Sequence, residues 1–269
     1  MYNYLLFFLC LLCLFSNVVI QAQTTHQTLD WSSSYRWVHV DNVDSQKAHI
    51  FEEARIEWLR SLRQQDYLLA DGRPLFWCAR RGTVQTYLTF YPFSRFSDLD
   101  SRREIVKQTQ SIVGQNAVDK YDTGDVALVA PHYTQVWQRA NQYDFATTEN
   151  EPLTELTANI GRIEIQQADL QQTDKIDQLW QSIRDALIAQ KYPLVCRSYW
   201  SSIGTGELVR IWLAPDIKAF RTSPPIQTVV ARQLGKQKSA AIFTTLKKLL
   251  VTHTQYEIER RPDLSNLGK

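Results

Sequence analysis

The sequence has no long run of one charge, no low-complexity segment and, after its first residues, no apolar stretch long enough to span a bilayer. It also lacks the local signatures of several chemistries. There is no Gly-x-Ser-x-Gly elbow, no His-Glu-x-x-His helix and no paired Cys-x-x-Cys motifs, which removes the usual hydrolase, zinc-protease and structural-zinc readings. The isolated Gly204-Thr-Gly206 is expected as a hairpin turn and not a phosphate loop, because no helix starts directly after it. Charge is nearly balanced, 30 Lys and Arg against 28 Asp and Glu, so the basic stripe of a nucleic-acid binder is missing. Arg80-Arg81 and Lys247-Lys248 are too short to supply one. Neither a cofactor nor a metal is expected from any motif present.

What is there begins with residues 1–22, which carry no charged side chain and include the apolar run Tyr4 to Phe15. That run is too short to cross a membrane and suits the core of a signal peptide ending at Ala22. The expectation is export to a periplasmic or extracellular space, with no membrane insertion once the leader is gone. Cys78 and Cys196 remain after its removal. Export permits a bridge between them, but they hold matching positions in two copies of one pattern, so two separate buried thiols are the expected state.

The copies are visible in the run Pro74 to Pro92, repeated in kind at Pro193 to Pro215: an apolar segment with one cysteine, a Gly-bearing turn, and an aromatic, β-branched segment closed by proline. Trp58 has a counterpart in Trp180, and Val113-Gly114 in Leu234-Gly235. His132 and His253 are each followed by an arginine seven residues on, Arg139 and Arg260. Around these hairpins the periodicity predicts a strand over 35–43 and a helix to about Gln65 with Ala48, Phe51, Ala54, Trp58 and Leu62 on one stripe. A second helix from Ser101, a short helical piece over 126–129 and a strand over 132–139 complete the first unit. After a polar connection, the order returns as a strand over 162–168, a helix from Asp174, the second hairpin, helices between Pro225 and Leu250 broken near Gly235, and a strand over 253–260. The predicted organisation is leader 1–22, unit 31–145, linker 146–159 and unit 160–262.

Each unit reads β-α-β-β-α-β, the ferredoxin-like order. Two such units in one chain, with paired hairpins and matching His-to-Arg last strands, resemble the dimeric α+β barrel superfamily as a tandem fusion. The resemblance implies an α+β fold with two four-stranded sheets packed against each other, helices outside, in a monomer that is an internal pseudo-dimer. The superfamily includes cofactor-free monooxygenases, small-molecule-binding stress proteins and haem enzymes of the chlorite dismutase type. No catalytic motif of any of these is matched, so no residue role is carried over.

Alternation divides each strand into two faces. In the second unit Ile163, Ile165, Cys196, Val209, Ile211 and Leu213 are expected to face the helices. Arg162, Glu164, Gln166, Val195, Arg197, Tyr199, Leu208, Arg210 and Trp212 are left for the space between the sheets. The first unit is expected to add Trp37, His39, Asp41, Trp77, Ala79, Arg81, Gln85, Tyr87, Thr89 and Tyr91 to that space. Ligand sites have such apolar walls with a few polar fixtures. Arg197 and Arg210 are candidate anion partners, and Tyr87, Tyr199 and Trp212 candidate walls, for a small acidic or aromatic molecule. His39 and Glu164, at matching positions, are candidates for proton transfer in a cofactor-independent oxygenase or isomerase. A structural ion pair of Glu164 with Arg197 or Arg210 is the other reading, as is a partner-binding protein with a packed interior.

Overall fold

The protein is described by a computed structural model covering residues 34–64, 75–81, 84–100, 110–111, 114–129, 132–147, 153, 157–168, 170–203 and 207–265. The expected leader 1–22, the Gly204–Gly206 turn and most of the helix expected from Ser101 lie outside the described residues. So do the side chains of Trp77, Cys78, Ala79 and Arg81.

The strands are β1 (Tyr35–Asp44), β2 (Leu75–Arg81), β3 (Val84–Phe93), β4 (Tyr133–Arg139), β5 (Ile160–Ala168), β6 (Val195–Ile203), β7 (Glu207–Ala214) and β8 (Leu250–Arg260). The helices are α1 (Ala48–Gln64), α2 (Gln115–Gly124), α3 (Thr173–Ala189), α4 (Ile217–Thr222), α5 (Ile226–Leu234) and α6 (Lys236–Leu249). The strands close into one barrel in the order β1-β3-β2-β8-β5-β7-β6-β4, each antiparallel to both neighbours. The first four run β4-β1-β3-β2 and the last four β8-β5-β7-β6, the same arrangement twice. The two sheets face each other across the barrel axis, and their edges are hydrogen-bonded at β2 with β8 and β4 with β6. This is an α+β fold of the dimeric α+β barrel type.

Closure gives every strand an inside and an outside, and cross-strand register decides which residues share a side. Val38, Phe90, Trp137, Tyr199, Ile211 and Ile258 belong to one buried cluster inside the barrel, drawn from both halves. Ile163, Val209 and Leu213 belong to the same cluster. These three were expected to face the helices, so the sides of β5 and β7 are the reverse of the sequence reading. On β6 the expected sides hold: Cys196 lies in the helix-side core and Val195 and Tyr199 in the interior. The hairpin register explains the mixture. Val195 pairs with Leu213 and Arg197 with Ile211, so Arg197 and Arg210 project to opposite faces. Alternation defines two sets on each strand, while the turn fixes how the sets of neighbouring strands align.

Helix stripes cover the outside. Ile176, Trp180, Ile183 and Leu187 of α3 are buried against β6 and β7, as the 3.6-residue period requires. The helical stretch after Pro225 breaks at Gly235, whose φ of +85° favours a residue without Cβ. The break lets α6 fold back against α5. Cys196 is a free thiol, and burial pushes its pKa up to about 12. Among the described residues no helix is long and apolar enough to cross a membrane.

The end of the chain returns to the first half. Leu264 is buried beside Phe51 and Tyr87, and Arg261 forms an ion pair with Glu52 of α1 while also holding Asp263. Tyr87 donates to the same Glu52 carboxylate at 2.5 Å. Burial pushes the Glu52 carboxyl up, but the Arg261 and Tyr87 hydrogen bonds outweigh it and hold the group below its usual value. Glu52→Gln should therefore cost about 1.5–3 kcal/mol at neutral pH, the worth of hydrogen bonds to a charged group. A depressed carboxylate stabilises the fold fully above its unfolded pKa of about 4.3, and less as pH falls through the folded value. The gap between wild type and Glu52→Gln in urea unfolding should narrow from pH 5 to pH 3; a constant gap would show that the clamp is not ionic.

Candidate functional site

The outer face of β5 carries Arg162, Glu164 and Gln166, two residues apart and so on one side of the strand. Opposite them on β7 stand Trp212, Arg210 and Leu208. Arg210 is fully buried, its guanidinium 3.3 Å from the ring centroid of Trp180 on α3. Its Nη2 donates to Gln166 Oε1 at 2.8 Å, and Nη1 lies 3.8 Å from Glu164 Oε2. Burial lowers its pKa to about 10, which still leaves it charged at neutral pH. Arg162 Nε approaches Glu164 Oε1 at 3.2 Å, close enough for attraction but not aligned as a hydrogen bond. The floor thus holds two guanidinium groups and one carboxylate, a net positive charge.

N–H donors outnumber acceptors there. Nε of Arg162, Nε and Nη1 of Arg210 and the indole N–H of Trp180 have no hydrogen-bond acceptor among the described residues. Over Arg162, Glu164 and Gln166 is a cleft of about 560 Å³ whose walls include Trp180, Ile226, Phe243 and Leu246, with Lys247 and His253 also lining it; Arg210 is buried behind this lining and does not reach the cleft. A second hollow of about 400 Å³ adjoins it, sharing Arg162, Pro225, Ile226 and Gln255. The break at Gly235 shapes the roof, because it sets the start of α5 and the body of α6 over the same strand face. Two cations, Arg162 and Lys247, against the single carboxylate of Glu164, beneath apolar walls, suit an anionic oxygen group on an otherwise apolar molecule.

The residues singled out from the sequence divide among four places. Glu164, Arg210 and Trp212 come together on the outer face of the second half, not between the sheets. The ion pair of Glu164 with Arg210 is present, and Trp212 lies behind Arg162, whose guanidinium carbon is 5.9 Å from its ring centroid. Tyr199 is fully buried inside the barrel near Trp137, Arg36 and Arg139. Arg197 is engaged at that end by Asp144 at 3.9 Å and by the Leu153 carbonyl, to which its Nη2 donates at 3.1 Å. Burial raises the Asp144 carboxyl above its usual value in spite of the Arg139 charge. Tyr87 is fully buried under α1, 4.7 Å from Phe51, and belongs to neither place.

His39 is on the outer face of β1, its Nε2 3.2 Å from Asp41 and its Nδ1 3.2 Å from Thr134 Oγ1. Arg55 of α1 holds the other oxygen of Asp41 at 3.1 Å. Burial pushes the Asp41 carboxyl up, but the His39 hydrogen bond and the Arg55 charge outweigh it and keep it below its ordinary value. The expected proton-transfer pair is not formed. β1 and β5 are four strands apart in either direction around the ring, so His39 and Glu164 project from opposite walls.

Sequence reasoning placed Arg162 and Gln166 beside Glu164 but named neither as a site residue, and took Trp180 only as the counterpart of Trp58. Phe243, Leu246 and Ile226 carry no signal of their own, since they reach the cleft through the packing of α5 and α6. The available signal was the triplet Arg162-x-Glu164-x-Gln166 alternating with Ile163 and Ile165: a strand whose charged side must lie under a helix with a tryptophan in its stripe.

No protein-family model and no characterised sequence matches the chain. Solved structures do match in fold. A provisionally named monooxygenase from Fusobacterium nucleatum superposes with a TM-score of 0.53 at 8% identity, covering 86% of this chain and 94% of its own. A chlorite dismutase mutant from Candidatus Nitrospira defluvii gives 0.50 at 8% identity, covering 91% and 98%. At such identity the likeness is one of architecture, and it agrees with the barrel derived from the strand order.

The charge balance of the floor can be checked directly. Glu164→Gln leaves Arg210 buried without a counter-charge and should lower the unfolding free energy by about 3–5 kcal/mol. Arg162→Gln, nearer the solvent, should cost about 1 kcal/mol or less. Similar losses for the two variants in denaturant unfolding would show that Arg210 does not depend on Glu164.

Proposed function

We propose that this chain binds a small, flat, mostly apolar molecule bearing a carboxylate in the cleft between the outer face of β5 and helices α3, α5 and α6. The observation that carries the reading is an apolar-walled cleft lined by two cations, Arg162 and Lys247, and one carboxylate, Glu164, with the buried guanidinium of Arg210 behind them. A carboxylate supplies acceptor oxygens to Arg162, and the aromatic walls Trp180 and Phe243 stack on a flat body. This keeps the small acidic or aromatic ligand expected from the sequence and moves it from between the sheets to one side of the barrel. An oxygenase with His39 as base does not attach to this cleft, because His39 is on the opposite wall.

The same proposal has the protein exported as a monomer, with 31–145 and 160–262 as fused copies joined through 146–159. The repeated strand order supports the fusion, and the charge-free leader supports export. Neither a nucleic acid nor a membrane is a partner in this reading.

Anthraquinone-2-carboxylate and its carboxamide are suitable probes, followed by calorimetry and by quenching of tryptophan fluorescence. The acid should bind at least about tenfold more tightly than the amide, the worth of one charge-assisted hydrogen bond, and Arg162→Gln should erase the preference. Equal binding of acid and amide, or an undiminished preference in Arg162→Gln, overturns the assignment.

A further inference from the structure

We infer that His39, Asp41 and His132 form a binding site for one divalent transition-metal ion of the zinc and cobalt class. One ligand atom from each residue lies within 4.8 Å of the other two. His39 Nε2 and Asp41 Oδ1 are 3.2 Å apart, close to the edge of about 3.3 Å that a tetrahedral ion makes with bonds of about 2.0 Å. The third ligand comes from the neighbouring strand. His39 pairs with Thr134 and Val40 with Tyr133, so His132, one residue further, arrives beside Asp41. The two imidazole rings are 4.9 Å apart between centroids and tilted, and His132 is exposed, so its ring can close the remaining distance.

The surroundings hold the ligands as outer contacts do in metal sites. Thr134 Oγ1 engages His39 Nδ1 at 3.2 Å and so turns Nε2 toward the carboxylate. Arg55 binds Asp41 Oδ2 at 3.1 Å, leaving Oδ1 for the ion, and is itself fixed over Tyr121 at 4.3 Å and Phe51 at 5.0 Å. Two imidazoles and one carboxylate favour zinc, cobalt, nickel or ferrous iron over calcium or magnesium, which need oxygen donors. Asp41 is buried while the histidines reach solvent, so a fourth position is open to water. The site is independent of the cleft on β5.

The test uses tag-free full-length chain, stripped with a chelator and titrated with Co²⁺ while visible absorption is recorded, then challenged with Zn²⁺. One equivalent of Co²⁺ should bind with tetrahedral d–d bands and be displaced by Zn²⁺. His132→Ala, an exposed position whose loss leaves the fold intact by circular dichroism, should weaken binding at least about tenfold, and Thr134→Val should weaken it about 10–100-fold. His49→Ala, an exposed histidine on α1, should bind as wild type does. No saturable binding at one equivalent, or equal affinity in wild type, His132→Ala and His39→Asn, overturns the site.

Discussion

Inward burial of Val38, Phe90, Trp137, Tyr199, Ile211 and Ile258 is the interaction on which the rest of the fold hangs, because both halves supply these side chains to one interior. Each fully buried large side chain is worth about 1.5–3 kcal/mol, so neither sheet could leave this face open to water. The segment between the halves contributes as well. Ala146, Leu153 and Ala158 pack against the same cluster, and the Leu153 carbonyl accepts from Arg197 at the end of the barrel. The inside holds Arg36 near Tyr199 and takes the Arg197 side of β6, while His39, Asp41, Arg162 and Glu164 lie on the outer faces of β1 and β5.

The two polar groupings on these outer faces differ in kind. On β5, Glu164 stands between two guanidinium groups, and one of them, Arg162, lines a cleft with Lys247. On β1, Asp41 stands between a guanidinium and an imidazole, with a second imidazole near solvent. The halves share a strand order but not a chemistry at these equivalent places. Matching architecture places two outer faces at comparable positions, one with an excess of positive charge and the other with two imidazoles around a carboxylate.

Element order was legible in the sequence because each strand and helix carries its own period: the stripe Ile176, Trp180, Ile183 and Leu187 needs nothing beyond local spacing. Direction was not. Ile163 and Glu164 separate by alternation, yet nothing local says which one meets the other half, and a mixed aromatic and charged face suggested a ligand cavity between the sheets. The pairing of Arg197 with Ile211 settles it, and that pairing is a property of the β6–β7 register, which no single strand carries. His132 shows the same limit in another form. No carboxylate sits at ligand spacing along the chain, but strand pairing brings Asp41 to it from more than ninety residues away.

The last strand, β8, sits between β2 of the first half and β5 of the second, and the residues beyond it clamp α1 through Arg261. During synthesis the ring therefore cannot be sealed until β8 has left the ribosome. Until then β2 and β5 each present an unpaired edge, the condition in which nascent chains are most prone to associate wrongly. A molecule whose two halves look separable is, for its biogenesis, a single closing event timed by the emergence of β8.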